Sequence, residues 1–256
     1  MANKTPQNEA FIKSKNYAYA ELVLDALAIV ISLSQLLCNL MSDEFFIGIA
    51  LLFVISNYFI SKFKYEQFDK ASNIRLKWVI DSSFDINRIQ GYDSSKYFDN
   101  DDIDIGFKKL FANTHENTLF TSEISNETYK YYSVISILLI SITVVIFVFS
   151  GTNRFTSLLL NAVLTGKFFE RARVVKTISK QTNQLFNNFN DVCGKYNKNE
   201  DYEMAKICGI ELIIRYESLI VENKYVPSEE VFKKKNTELT KKWNEIKEEY
   251  LIYKEV

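Results

Sequence analysis

The sequence predicts an all-α integral membrane protein, with four transmembrane helices in two hairpins and a helical cytoplasmic domain. Three observations predict it. Apolar residues are concentrated in two blocks, each broken once by a short polar turn. Basic residues gather at the outer flanks of those blocks rather than in the turns. Proline and glycine are scarce, two and seven in 256 residues, which suits long uninterrupted helices.

Residues 1–60 form the N-terminal segment and the first hairpin. The stretch MANKTPQNEAFIKSKNYAYAE is polar for about twenty residues, whereas a secretory signal places its apolar run nearer the start, so no cleavable signal is expected. The first apolar segment runs from Glu21 to Met41 and contains Asp25. Ser42-Asp43-Glu44 makes a tight turn, and Phe45–Ile60 follows, extensible to Phe63, with aromatics at both ends as in interfacial belts.

Residues 61–130 read as a cytoplasmic helical insertion. Phe68, Ala71, Ile74 and Trp78 recur at spacings of three and four over Lys62–Ile80, which continues the second membrane helix. The stretch DSSFDINRIQGYDSSKYFDNDDIDIG reads as an acidic loop, and Phe107–Leu119 as a helix returning to the membrane.

Residues 131–169 form the second hairpin. From Ser133 to Phe149 there is no charged residue, and Tyr131 and Tyr132 add an aromatic boundary. A bilayer core of roughly 30 Å needs about 20 helical residues, a length this run meets. Ser136, Thr143 and Ser150 lie on a heptad spacing that suits close helix packing. Gly151-Thr152-Asn153-Arg154 forms the turn, and Phe155–Phe169 the fourth segment.

Residues 170–256 form a helical cytoplasmic tail. Val174, Ile178, Leu185, Phe189 and Val192 prolong the fourth helix to Gly194, a C-cap residue by type. Asn199 caps a further helix to about Asn223, and Pro227-Ser228-Glu229-Glu230 starts the last one, with Ser228 as N-cap. The turns hold only Arg154, while Lys13, Lys15, Lys62, Lys64, Lys130, Lys167, Arg171, Arg173 and Lys176 lie at the other ends. The positive-inside rule puts both termini in the cytoplasm.

The remaining composition excludes more than it identifies. A net charge of −1 gives no global attraction for nucleic acid. One histidine, His115, cannot build a multi-histidine metal site, and three separated cysteines fit no metal or redox pattern. No phosphate-binding glycine motif appears. An enzyme is not expected, nor is a metal or cofactor.

Polar residues within the membrane blocks are the candidate site. Glu21, Asp25, Ser32, Gln35 and Asn39 share one face of the first helix, and Arg154, Ser157, Asn161 and Thr165 one face of the fourth. Such stripes either line an aqueous path or hydrogen-bond across helices in a closed bundle. For an anionic ligand the candidates are Arg75, Lys77 and Trp78, with Arg88 nearby, and Lys167, Arg171 and Arg173 at the membrane surface. For the latter cluster the plainer reading is anchoring of the chain on anionic lipid. Leu239, Trp243, Ile246 and Tyr250, flanked by Phe232 and Tyr253, make an apolar seam for self-association or for an internal bundle.

The layout as a whole carries a resemblance. Two tight hairpins are separated by a cytoplasmic region, SKFKYEQFDKASNIR leads out of the second membrane helix, and a helical tail follows. This resembles the SMODS-associating four-transmembrane effectors of bacteria, with the SLATT proteins as second choice, and looks like the membrane effector of the Hailong anti-phage system. The resemblance implies a homo-oligomeric pore in the bacterial inner membrane. It also implies a nucleotide or oligonucleotide ligand, made by a partner nucleotidyltransferase, that acts from the cytoplasm. The alternative from another class is a non-conducting membrane adaptor that recruits soluble partners through its tail.

Overall fold

The computed structural model describes residues 6–38, 42–88, 100, 102–150, 167–195, 202–250 and 253. Every regular element longer than a turn among them is an α-helix: α1 (Asn8–Cys38), α2 (Asp43–Phe84), α3 (Phe107–Ser150), α4 (Lys167–Lys195), α5 (Tyr202–Glu222) and α6 (Glu229–Glu249). α2 and α3 are unbroken over 42 and 44 residues; the apolar run and its polar extension predict this for α2, whereas in α3 one helix joins the predicted stretch Phe107–Leu119 to the apolar run from Ser133. α1 starts earlier than its apolar segment, at Asn8, because its polar first half packs on α2. There Phe11 meets Phe68 edge-on, with ring centroids 6.0 Å apart, and the Ser14 hydroxyl donates to the Lys64 carbonyl at 3.1 Å.

α2 also runs further than its periodicity predicts, taking in the first residues of the acidic loop, and ends where the chain turns left-handed at Asp85 (φ 50°). The Ile86 amide donates back to the Asp81 carbonyl, a Schellman closure without glycine. Arg88 reinforces this end. Its amide and Nε donate to the Asp81 carboxylate at 2.8 and 2.5 Å, and Nη2 donates to the Lys77 carbonyl at 3.1 Å. α5 ends the same way, with Lys224 left-handed (φ 47°) and the amides of Lys224 and Tyr225 donating to the carbonyls of Val221 and Ile220. Ser228 caps α6 as its sequence predicts, accepting from the Val231 amide. Gly194 lies inside α4, which continues to Lys195, while Asn199 is outside the described residues.

The chain divides into two compact units. One contains residues 9–69 and 130–173, the other residues 1–8, 70–129 and 174–256. The first unit thus gathers both predicted hairpins, and the second the intervening and C-terminal helices.

Two helices are long and apolar enough to cross a membrane, Glu44–Phe84 and Phe107–Phe149, and no part of either apolar window is buried within the protein. These correspond to the second and third predicted spans. The first predicted span lies in α1 as far as Cys38, and the fourth, 155–169, is outside the described residues up to residue 166.

Candidate functional site

In the unit of residues 9–69 and 130–173, α1 and α2 run antiparallel, and polar groups pair across them in step. Tyr17 packs on Phe63 at 6.0 Å. About one turn further along α1 the Glu21 side chain, with 0% exposure, accepts from Ser61 Oγ and lies 2.7 Å from Lys64 Nζ. One more turn on, Asn57 Nδ2 donates to Asp25 Oδ1 at 3.0 Å. α4 joins the same point: Arg171 Nη2 donates to the Ala18 carbonyl at 2.9 Å and lies 3.8 Å from Glu21. One buried carboxylate therefore holds two cations from two other helices. Such a node is costly to bury and still costlier to leave half-made, so it fixes the register of the three helices.

Of the predicted polar stripes, Asp25 is half-buried and bound by Asn57, and Glu21 is the node itself. The side chains of Ser32 and Gln35, and residues Asn39, Ser157, Asn161 and Thr165, are outside the described residues. On α3, Ser136 donates to the Tyr132 carbonyl at 2.8 Å, folding its polarity into its own helix.

The structure separates the predicted ligand residues by role. Arg75 is mostly buried and hydrogen-bonds through Nη2 to Glu217 of α5. Burial raises the Glu217 pKa, and the Arg75 charge opposes it. Trp78 is buried too, so its ring packs in the core rather than offering a face for stacking. Lys77 and Arg173 are exposed, Arg171 serves the Glu21 node, and the Lys167 side chain is outside the described residues.

The second unit contains a buried polar centre that the sequence reading does not anticipate. The run Asn113-Thr114-His115 is polar, and all three side chains are buried. His115 stacks on Phe189 with centroids 5.1 Å apart and meets Trp243 edge-on at 5.3 Å. Its Nδ1 is 2.8 Å from the Tyr253 hydroxyl, to which Cys193 Sγ donates at 3.4 Å. Burial lowers the His115 pKa to about 3, with Asn190 acting in the opposite sense. Burial also pushes the Cys193 thiol up to about 12, so it is no nucleophile. Beside it, Asn100 bridges two helices, α3 and α6. It accepts from Trp243 Nε1 at 2.9 Å, and its Nδ2 donates to Asn113 Oδ1 at 2.9 Å and to Glu116 Oε2 at 2.8 Å. Among the described residues no group of His, Cys, Asp or Glu is arranged to hold a metal ion.

This centre also locates the α6 seam. Leu239 and Trp243 are buried by the chain itself, Phe232 packs on Phe120 with centroids 6.3 Å apart, and Ile246 and Tyr250 are half-covered. Of the two readings of the seam, the internal bundle is the one its centre occupies. No family model, curated protein or solved structure matches the chain.

Proposed function

We propose that the protein is an oligomeric pore-forming effector in a bacterial inner membrane, with four spans, both termini cytoplasmic and its gate governed from the cytoplasm. The observation that carries this reading is the pair of apolar windows in α2 and α3, none of which is buried within the protein, while the carboxylate of Glu21 is fully buried. Water cannot cover such windows without great cost, whereas lipid and neighbouring copies can. One helix cannot enclose an aqueous path, so the polar faces of the first and fourth segments must be closed by one another or by further subunits. The Glu21 node ties α1 to α4 at a point where a small displacement of α4 would move Arg171 off the carboxylate.

The resemblance supports the rest of the reading: defence against phage, and gating by a nucleotide or oligonucleotide from a partner nucleotidyltransferase. Of the ligand residues predicted from the sequence, Lys77 and Arg173 have exposed side chains, each in its own unit.

Ion flux across liposomes containing the purified chain tests the proposal. Flux is expected, with Asn161→Leu suppressing it at unchanged insertion and Asp25→Asn altering cation preference. Tight liposomes under all ligand conditions would reject the pore and favour the membrane adaptor. Flux that neither substitution alters would reject these stripes as its lining.

A further inference from the structure

α5 is apolar on two opposite faces; the chain buries one of them and leaves the apolar side chains of the other largely exposed. Ala205, Gly209, Leu212, Tyr216, Leu219 and Ile220 are buried in its own unit. Roughly 160° around the helix, at about 100° per residue, Ile207, Ile210, Ile214 and Val221 form a second stripe. These four are between 44% and 62% exposed. A contiguous exposed apolar stripe of this kind marks an interaction surface rather than a solvated face. The stripe also follows the three- and four-residue rhythm of a coiled-coil seam, with Glu217 at the one polar position, where it is engaged by Arg75.

We propose that this face of α5 is an interface between copies of the chain, in which two α5 helices pair in parallel. The charges beside the stripe favour this occupant. With Ile207, Ile210 and Ile214 at the seam, Lys206 and Glu211 fall on its opposite flanks, five residues apart. A parallel pair places Lys206 of each copy against Glu211 of the other, the position at which interhelical ion pairs set partner and orientation. In the single chain these groups make only exposed pairs along their own helix, Lys206 with Glu203 at 4.0 Å and Glu211 with Arg215 at 2.5 Å. Such pairs are weak and easily exchanged. A lipid surface fits less well, because α5 carries Glu203, Glu211, Glu217 and Glu222 against Lys206 and Arg215, the wrong balance for anionic headgroups. The inference rests on the oligomeric reading above and names the surface that would serve it outside the membrane blocks.

The test is a photo-crosslinking phenylalanine derivative at Ile214 in the full chain, reconstituted in vesicles of phosphatidylethanolamine and phosphatidylglycerol, with Lys233 as the control site. A covalent dimer from Ile214 and none from Lys233 is expected. Lys206→Glu and Glu211→Lys should each lose most of that dimer, and the double substitution should restore it. Adducts to lipid or within one chain, or a dimer indifferent to the charge exchange, would overturn the proposal. Flux that persists alongside such a result would leave the pore reading standing and remove only this surface.

Discussion

The Glu21 carboxylate lies 2.7 Å from the Lys64 ammonium, and Glu21 has 0% exposure while Lys64 retains a little. The asymmetry decides how the pair responds to mutation. Removing the charge of Glu21 leaves Lys64 and Arg171 facing one another across a site shielded from water. Breaking one side of a buried ion pair typically costs about 3–5 kcal/mol, most of it from the charge left behind. Glu21→Gln should therefore lower the thermal midpoint of the detergent-solubilised protein markedly, and the further change Lys64→Met should recover part of the loss. A double variant less stable than Glu21→Gln would show that the two residues do not form one energetic unit.

His115 supplies a prediction about pH. Its folded-state pKa is lowered to about 3, against roughly 6.5 in an unfolded chain. As the pH falls below about 6.5, the unfolded state takes up a proton that the folded state refuses. The stability His115 contributes is thus fully present above that pH and is lost progressively toward pH 3, at up to about 1.4 kcal/mol per pH unit. The groups around it, Tyr253 and Cys193, are both shifted up and stay neutral in this window. His115→Phe should be less stable than the parent at pH 7.5, and the gap should shrink between pH 6 and pH 4. A gap that stays constant across that range would mean that His115 is not the titrating group.

Local signals made some of this architecture legible and distance hid the rest. Ser228 with its following acids marks the start of α6, because a cap is written within four residues. The length of α2 is equally readable, since Phe68, Ala71 and Trp78 carry the apolar period past the membrane block. Arg75 presented itself as a free cation because its partner, Glu217, is 142 positions away. The burial of Asn113 and His115 was hidden for a related reason: Asn113 is held by Asn100 and His115 Nδ1 by Tyr253, which no periodicity in α3 can announce. Glu21 was visible as one of a polar stripe, but its role as the shared anchor of Lys64 and Arg171 needed three helices in place.

Gly209 sets how closely α5 approaches α3. It is buried, and a methyl group on its Cα would lie 2.6 Å from Phe111 Cδ2 and 2.8 Å from Phe107 Cζ. Phe107, at the start of its helix, is the easier of the two to displace. Phe111 is not free to turn aside, because its ring packs edge-on against Phe189 at 4.9 Å and against His115 at 6.4 Å. In solvent-facing helix, Gly→Ala gains up to about 1 kcal/mol in propensity. Here overpacking, typically about 1–3 kcal/mol, opposes that gain and exceeds it. Gly209→Ala should therefore destabilise the protein by a net one or so kcal/mol, and the strain should pass through Phe111 to the His115 centre. The paired change Gly209→Ala with Phe111→Leu removes the clashing ring edge and should recover part of the loss relative to Phe111→Leu alone. Denaturant midpoints of the four proteins form a complete cycle. Additive effects in that cycle would mean that Gly209 and Phe111 do not set the separation of the two helices.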